Sequence, residues 1–600
     1  MRIKTFVSYY LFWVLAFVLQ KPLFMACYAK LMGGGGPMDW LRVMWHGMPL
    51  DLAMAGYLTI VPALLLIVSC FWMKPVLRSI YQVYNIVVSA VVALTLVVNL
   101  ALYNFWGFPL DSTPLFYFFS SPRLALASVS WWIVLLGVAL VVMMALVLYF
   151  CTEHLPMPRY RCRQWWKPVA LVLLTALLFL PIRGGVTVST TNSGEVYFSK
   201  NQHLNHAAVN PLFRLMESLT KTSNFGKQYR FMSDATVNRL VKPLLCTQSN
   251  STRLLITNRH PQDVYIIILE SFSWLLMQNT PATPNLKKLA AEGVLFDNFY
   301  ANSFRTDRGV LSVLSGYPAQ PTMSLMRYPD KTGHLPSIAR QMNEAGYALK
   351  YFYGGDIDFC NQRSYLVAQG FEQIVSDKSF PVSQRLSKWG VHDEFVFRRV
   401  ESELKKQHHA MLRVIQTSSS HEPFEVPRQL LPAKYGKALN AFAYADHCLG
   451  DFVNYLKQHG RWKNALLVIV PDHLGAWPEG IDNLTLPRFH VPLIFAGGVV
   501  EQPRTIHTLG SQQDIAATLL AQLGIDHSQL TFSKDMMSSK APHFAFFSIP
   551  DAMGLVTPGG AVIYDNETRR PALAVGRDAR KNEARAKAYL QYLYNDIAKR

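Results

Sequence analysis

Five long apolar segments lie in the first third of this chain, and they constrain its fold more than any other feature. A bilayer core is about 30 Å thick, so a helix needs about 20 apolar residues to cross it. The five segments, of which the last is shortest, are Phe6–Leu31, Leu50–Trp72, Ile80–Tyr103, Leu124–Phe150 and Pro168–Pro181. A buried core helix explains one such run, but not five in succession. The sequence therefore predicts a transmembrane domain of five helices over residues 1–182.

The basic residues in the short loops predict how these helices are oriented. Cytoplasmic loops of membrane proteins carry an excess of Lys and Arg. With a cytoplasmic N-terminus, the outer loops carry only Arg42 and Arg123. The inner side then carries eight basic residues, which are Arg2, Lys4, Lys74, Arg78, Arg159, Arg161, Arg163 and Lys167. Five crossings place everything after Arg183 outside the cytoplasm.

Lys21 is a charged residue inside the first apolar segment. A charged side chain is costly in the bilayer, so it either reaches the interface along its aliphatic stem or points into the helix bundle. We expect Lys21 to reach the outer interface.

Charge and cysteine content exclude two classes of protein. The formal net charge is +19, but the basic residues are scattered or lie beside the apolar segments. A nucleic-acid-binding protein concentrates them in a patch with exposed aromatic residues, so no nucleic-acid partner is expected. The seven cysteines include no CxxC pair and no spacing typical of a disulfide framework. Burial of a large core must therefore stabilise the soluble part.

The remaining residues predict a linker over 183–260 and an α/β domain over 261–600. The linker is polar, whereas the domain alternates short apolar runs with amphipathic helical stretches. The predicted strands are Val264–Leu269, Ala348–Tyr353, Met411–Thr417, Leu466–Val470 and Val491–Ala496. The predicted helices are Asn285–Glu292, Ser337–Glu344, Ala441–Lys457 and Asp514–Leu523. Continuously apolar strands indicate a mostly parallel central sheet buried on both faces, and active sites of such sheets lie at the carboxyl ends of the strands.

Polar residues follow two of these strands directly. Glu270 follows the first strand, and Asp472 and His473 follow the fourth. Thr306 lies between them in sequence, just before a helical run that begins at Val310. Carboxylates and imidazoles bind divalent cations, and a hydroxyl beside such a cation can lose its proton and attack phosphorus. Each residue alone has an ordinary alternative, namely a solvated strand end, a turn or a helix N-cap.

The motifs around these residues resemble the lipoteichoic acid synthase family, which belongs to the alkaline phosphatase and sulfatase superfamily. The resemblance is carried by short motifs together with the five preceding apolar segments. The motifs are Leu269–Ser271, Ala282–Leu286, Phe296–Tyr300, Thr306, Phe352–Tyr365, Ser419–Phe424, Pro471–Gly475 and Val491–Leu493. The resemblance implies a bacterial enzyme of the cytoplasmic (inner) membrane, multi-pass, with an extracytoplasmic sulfatase-like catalytic domain.

The resemblance also implies roles for individual residues. Glu270, Thr306, Asp472 and His473 would hold one divalent metal ion, with manganese as the expected cofactor, and Thr306 would be the nucleophile. His421 would contact the substrate phosphate or the leaving group.

The implied substrate pocket uses the stretch Phe359–Arg363. The chain departs from the family here, because Cys360 replaces an aromatic residue and Gln362 replaces a basic one, for which Arg363 can compensate. Arg305 and Arg308 flank the nucleophile as further candidates for binding phosphate, with solvated surface charges as the alternative.

The implied reaction moves a phosphoglycerol-type head group from an anionic phospholipid, such as phosphatidylglycerol, to a glycan or glycolipid acceptor. A Thr-linked intermediate forms and diacylglycerol leaves. His490 is a weaker candidate, as a ligand of a second metal ion.

Other functions stay open at this stage. A phosphodiesterase needs the same site with water as the acceptor. Residues 304–309 lack the C/S-x-P-x-R pattern of most sulfatases, and only three cysteines in the soluble part argue against a phosphoethanolamine transferase. A non-catalytic membrane sensor is disfavoured by the complete set of candidate ligands.

Overall fold

The structure is a computed structural model, and the chain divides into two compact units. The first contains residues 1–114 and 131–221, and the second contains residues 115–130 and 222–600. The predicted linker, 183–260, is thus divided between the units. The described residues are 2–32, 36–120, 129–155, 157–158, 162, 164–184, 191, 193–196, 198–199, 201–221, 225–245, 253–371, 373–405, 409–475 and 477–600. Arg123, Arg159, Arg161, Arg163 and the start of the fourth predicted span (124–128) lie outside them.

The described residues up to 221 are almost entirely helical. Their α-helices are α1 (Arg2–Cys27), α2 (Pro37–Phe71), α3 (Pro75–Trp106), α4 (Thr113–Ser120), α5 (Trp131–Glu153), α6 (Trp166–Leu177), α7 (Phe179–Arg183), α8 (Gln202–Ala208) and α9 (Pro211–Lys221). Five segments are long and apolar enough to cross a membrane. They are Arg2–Cys27, Pro37–Phe71, Pro75–Asn104, Trp131–Glu153 and Trp166–Arg183. The prediction of five apolar N-terminal helices is confirmed.

A buried ion pair joins the first two helices. The Lys21 side chain is only 3% exposed, and its Nζ lies 2.6 Å from Oδ2 of Asp51 on α2. The side-chain amide of Asn210 donates to the other oxygen of Asp51 at 3.0 Å. Gly47 leaves the necessary room, because a Cβ there would lie 1.9 Å from Lys21 Cε. The prediction that Lys21 reaches the interface was wrong, since Asp51 supplies a counter-charge inside the bundle.

We expect Asp51→Asn to destabilise this unit by about 3–5 kcal/mol, because it leaves the Lys21 ammonium buried and uncompensated. Thermal unfolding of the full-length protein in detergent would measure the loss. The double variant Lys21→Met/Asp51→Leu removes both charges and should recover much of the stability. Equal stability of Asp51→Asn and the unchanged protein would show that the pair contributes nothing.

The second unit is built on an eight-stranded sheet. Its strand order is β5-β4-β6-β1-β7-β8-β2-β9. The strands of this sheet are β1 (Asp263–Leu269), β2 (Val294–Phe296), β4 (Ala348–Tyr353), β5 (Gln373–Val375), β6 (Met411–Gln416), β7 (Ala465–Pro471), β8 (Leu493–Ala496) and β9 (Arg504–Ile506), whereas β3 (Phe299–Tyr300) lies outside it. The pairs from β5 to β7 are all parallel, whereas β8 runs antiparallel to both of its neighbours.

Helices cover both faces of this sheet, as the continuously apolar strands predicted. Along β1, Val264, Ile266 and Ile268 enter one apolar cluster, while Tyr265, Ile267 and Leu269 enter the other. The described helices after residue 221 are α10 (Asp234–Val241), α11 (Trp274–Asn279), α12 (Pro284–Glu292), α13 (Thr306–Ser315), α14 (Pro329–Thr332), α15 (Ile338–Glu344), α16 (Gln362–Ala368), α17 (Asp393–Leu404), α18 (Gly436–Gln458), α19 (Asp514–Leu523) and α20 (Ala579–Lys599). The predicted α/β architecture with a mostly parallel central sheet is confirmed.

A second sheet follows near the C-terminus. It has four antiparallel strands, which are β11 (Ala545–Ile549), β12 (Ala552–Thr557), β13 (Gly560–Asp565) and β14 (Arg570–Val575). A short parallel pair joins β3 to β10 (Gly510–Ser511). Helix α20 contacts this sheet and buries Tyr589, Leu590 and Leu593 completely.

Candidate active site

The order of the parallel strands decides which loops meet at one edge of the sheet. β1 and β7 pair in a register that aligns Leu269 with Pro471, so Glu270 and Asp472 leave the sheet side by side. β6 lies on the other side of β1, and the loop after it carries His421. The N-terminus of α13 adds Thr306 to this edge, and His473 follows Asp472 directly. The four predicted metal ligands, Glu270, Thr306, Asp472 and His473, therefore lie together.

The candidate ligand atoms lie close to one another. Oγ1 of Thr306 donates a hydrogen bond to Glu270 Oε2 at 3.2 Å and lies 3.4 Å from His473 Nε2. That nitrogen is 3.7 Å from Glu270 Oε1 and 3.5 Å from Asp472 Oδ2. Glu270, Asp472 and His473 are buried, whereas Thr306 is partly exposed. The two carboxylates and the imidazole are therefore shielded from water, and Thr306 lies at the more exposed side of the cluster.

Neighbouring groups orient each ligand. Asp472 Oδ1 accepts backbone N–H bonds from Ser271 and His473, both at 2.8 Å, and the Ser271 hydroxyl donates to Glu270 Oε1 at 2.6 Å. His473 Nδ1 lies 3.0 Å from the Leu474 carbonyl, which can only accept, so this nitrogen carries the proton. The remaining nitrogen, Nε2, therefore presents a lone pair to the cluster, as in metal-binding histidines.

The electrostatics of the cluster favour a cation. Burial and the charge of Asp472 raise the pKa of Glu270 well above its ordinary value. Burial lowers the pKa of His473, which keeps its imidazole neutral. Asp472 Oδ2 is buried and has no hydrogen-bond partner among the described residues. Two carboxylates, a neutral imidazole and a hydroxyl form a donor set that fits a divalent metal ion.

Two backbone features let the cluster form. Ser271 has φ = 62°, a left-handed conformation that costs a non-glycine residue about 1–3 kcal/mol and is concentrated at functional sites. Gly309, in the first turn of α13, lies against Asp472, and a Cβ there would be only 2.4 Å from the Asp472 carbonyl oxygen. The glycine thus allows Thr306 to approach the carboxylates.

His421 borders the cluster on the β6 side. Burial, together with the nearby charge of Arg305, lowers the pKa of His421 to about 4, against an opposing contribution from its hydrogen bond to the Glu422 carbonyl. Its Nδ1 lies 3.0 Å from the Glu422 carbonyl, so Nε2 is the unprotonated nitrogen. Asp393 holds the loop that carries this residue, because its Oδ1 accepts the backbone N–H of Ser418 at 2.8 Å.

Aromatic side chains extend from His421 toward the predicted substrate pocket. The Trp389 ring lies 4.0 Å from His421, and the Phe359 ring lies 6.0 Å from Trp389. Trp389 also donates its indole N–H to the Glu422 carbonyl at 2.7 Å. Trp389 was not predicted from the sequence, because it lies outside every motif that resembles the lipoteichoic acid synthase family.

The departures from the family pattern have structural consequences. Gln362 is buried and donates to Tyr351 Oη and Gln416 Oε1, at 2.9 and 2.7 Å. The Arg363 guanidinium forms two hydrogen bonds with Asp358. Cys360 is buried, and its backbone has φ = 57°. The structure therefore commits Arg363 to Asp358, and its role in binding substrate stays a prediction.

The other candidates have different surroundings. Arg305 is the N-cap residue of α13, and its charge lowers the pKa of both His421 and His473, which places it beside the cluster. Arg308 is 2% exposed and donates from Nε to the carbonyls of Gln320 and Met323. Phosphate binding by either residue stays a prediction.

His490 lies in an aromatic stack. Its ring centroid is 4.7 Å from that of Trp274 and 5.5 Å from that of Tyr300, and Nε2 lies 2.8 Å from the Asp297 carbonyl. It is not among the three residues that group as a possible metal site in the described part of the chain.

Known proteins share this site-bearing domain. The sulfatase family profile matches residues 262–525. A phosphoglycerol transferase I from Xanthomonas campestris pv. campestris is 24% identical over 280 residues, which cover 43% of this chain and 40% of that relative. The chain thus spans less than half the length of this curated relative.

Two solved structures resemble the second unit. A protein in the alkaline phosphatase superfamily from Vibrio parahaemolyticus is 24% identical, with a TM-score of 0.54, and the match covers 61% of this chain and 96% of that one. The lipoteichoic acid synthase LtaP from Listeria monocytogenes is 20% identical, with a TM-score of 0.51 and coverage of 61% and 98%. Residues 262–525 therefore match the sulfatase family profile, and the second unit has a fold like that of these two solved structures.

Proposed function

We propose that this chain is a membrane-anchored, metal-dependent phosphotransferase. It moves a phosphoglycerol-type head group from an anionic phospholipid to an extracytoplasmic glycan or glycolipid through an intermediate linked to Thr306. The observation that carries the proposal is the position of Thr306, a partly exposed residue at the N-terminus of α13. Its hydroxyl lies 3.2 Å from Glu270 and 3.4 Å from His473. The names of the similar proteins, phosphoglycerol transferase and lipoteichoic acid synthase, support this substrate class.

The residues at the sheet edge have different roles in the proposed reaction. A divalent cation held by Glu270, Thr306, Asp472 and His473, with manganese the expected ion, would supply Lewis acidity and lower the pKa of the Thr306 hydroxyl. Thr306 Oγ1 loses its proton to water and bonds to phosphorus, while the bond from phosphorus to the diacylglycerol oxygen breaks and that oxygen takes up a proton from water. The N-terminus of α13 favours the negative charge on the phosphoryl oxygens, and Arg305 adds a positive charge beside the cluster.

His421 suits the second half of the reaction. Its neutral imidazole carries its proton on Nδ1, so Nε2 can accept the proton of an acceptor hydroxyl that attacks the threonine-linked phosphoryl group. The hydroxyl oxygen bonds to phosphorus, the bond from phosphorus to Thr306 Oγ1 breaks, and the proton held by His421 restores the Thr306 hydroxyl. An acceptor alcohol gives transfer and water gives hydrolysis, so the product identifies the reaction.

The proposal is tested with the purified full-length protein in vesicles that contain phosphatidylglycerol labelled in its head group. We expect diacylglycerol release with Mn²⁺, none with EDTA, and transfer of the label to a glycolipid acceptor. Labelled phosphatidylethanolamine serves as the comparison lipid. Equal release with Mn²⁺ and EDTA, or release from phosphatidylethanolamine alone, would overturn the proposal.

Gly309 provides a prediction about the geometry of this site. We expect Gly309→Ala to lower the rate of head-group release at least about tenfold, because its Cβ must displace the Asp472 backbone and misplace the ligands. Gly226→Ala is the matched control, since a Cβ there would lie 3.5 Å from Ala598 Cβ, an ordinary contact. Vesicle assays and thermal unfolding of both variants would separate misplaced ligands from general loss of the fold.

A further inference from the structure

We propose that Leu115, Phe118 and Phe119 of α4 form a lipid-contacting surface, through which the second unit (the catalytic unit) engages the membrane interface beside its own candidate active site. These residues lie in sequence between the third and fourth membrane-spanning helices, yet they group with the catalytic unit. The inference rests on the proposed function in one respect, namely that the surface would bring the active site to a lipid substrate.

The two faces of α4 differ in their surroundings. Leu115, Phe118 and Phe119 are 36%, 44% and 79% exposed. Their spacing of i, i+3 and i+4 places them on one side of the helix. Tyr117 lies on the opposite side and is buried. None of the residues from 113 to 120 carries a charge, and the three exposed residues are all apolar.

The buried face reaches the nucleophile-bearing helix. The hydroxyl of Tyr117 donates to Oδ1 of Asp307 at 3.3 Å, and Asp307 directly follows Thr306 in the first turn of α13. The Tyr117 ring also packs on Phe359, with centroids 5.6 Å apart. The apolar outer face of α4 is therefore one helix diameter from the contacts that surround the nucleophile.

The length of the connection identifies lipid as the occupant. Helix α3 ends at Trp106 and α4 begins at Thr113, so seven peptide steps separate them. An extended chain of this length spans at most about 25 Å, which keeps α4 close to the end of a membrane-spanning segment. Trp131 and Trp132, 59% and 65% exposed, begin the next span. Tryptophan is enriched at membrane interfaces, so interfacial residues bracket this loop on both sides.

Photo-crosslinking tests the surface independently of catalysis. The full-length protein carries benzoylphenylalanine at Phe119 or, as a control, at Val382, a residue of the same unit that is 77% exposed. Each protein is irradiated in vesicles of phosphatidylglycerol and phosphatidylethanolamine, and lipid adducts are measured by mass spectrometry. We expect at least about fivefold more adduct at position 119, because an apolar helix face inserts into the interface. Equal yields at the two positions would overturn the inference.

A second assay links the surface to substrate delivery. We expect the double variant Phe118→Ser/Phe119→Ser to release head groups from vesicle lipid at least about tenfold more slowly, while a soluble short-chain phosphatidylglycerol reacts at the unchanged rate. Loss of both activities would indicate a damaged site and count against the inference. If the unchanged protein cleaves neither lipid, the proposed function fails, and the crosslinking result still decides whether α4 contacts lipid.

Discussion

Replacement of Thr306 by alanine is expected to lower diacylglycerol release at least about a thousandfold, because it removes the hydroxyl that forms the proposed covalent intermediate. The Thr306 hydroxyl donates to Glu270 and adjoins His473, so its loss also removes one of the proposed metal ligands. The measurement is the initial rate of release from labelled phosphatidylglycerol in vesicles with Mn²⁺.

The matched control is Thr306→Ser, which keeps the hydroxyl at the same position. We expect it to retain activity within about tenfold of the unchanged protein, since the nucleophilic atom and the helix N-terminus are preserved. Both variants should unfold at similar temperatures, because Thr306 is partly exposed. An alanine variant as active as the serine variant would rule out Thr306 as the nucleophile.

The second large effect is expected from Asp472→Asn. Asp472 is fully buried, its Oδ1 holds two backbone N–H groups, and its Oδ2 points at no donor among the described residues. The asparagine keeps the size of the side chain but loses its charge. We expect the affinity for Mn²⁺ to fall at least about a hundredfold, because a hard divalent cation depends on anionic oxygen ligands.

Electron paramagnetic resonance of free Mn²⁺ during a titration measures this affinity without any substrate. The control is Asp297→Asn, which removes a carboxylate of the same unit that pairs with the exposed His507. Asp297→Asn should bind Mn²⁺ like the unchanged protein. Equal affinity in Asp472→Asn would show that the cation, if bound, lies elsewhere.

The sequence predicts the central sheet well because burial on both faces leaves a plain signal. β1, β4, β6 and β7 are continuous apolar runs, and their observed bounds differ from the predicted ones by one residue at most. The convergence of Glu270 with Asp472 then follows from parallel pairing, since residues just beyond aligned strand ends must be neighbours. The role of Thr306 as the nucleophile was assigned from the resemblance to a family, because a threonine at the start of a helix is usually a simple N-cap.

Contacts between distant segments could not be predicted in this way. The partner of Lys21 is Asp51, thirty residues later, and only the packing of α1 on α2 brings the two together. Tyr117 lies 190 residues before Asp307, so no local pattern indicates their hydrogen bond. Ser271 lies in one of the motifs and Gly309 lies three residues after Thr306, but their roles depend on a left-handed backbone and a close approach that appear only in three dimensions.

The most direct test of the central claim is to trap the covalent intermediate. The full-length protein is incubated with phosphatidylglycerol and Mn²⁺ without an acceptor, quenched in acid and digested for peptide mass spectrometry. We predict a phosphoglycerol adduct on the peptide that contains Thr306, absent from Thr306→Ala and removed when a glycolipid acceptor is added before the quench. Diacylglycerol release without any adduct, or an adduct on another residue, would contradict this account.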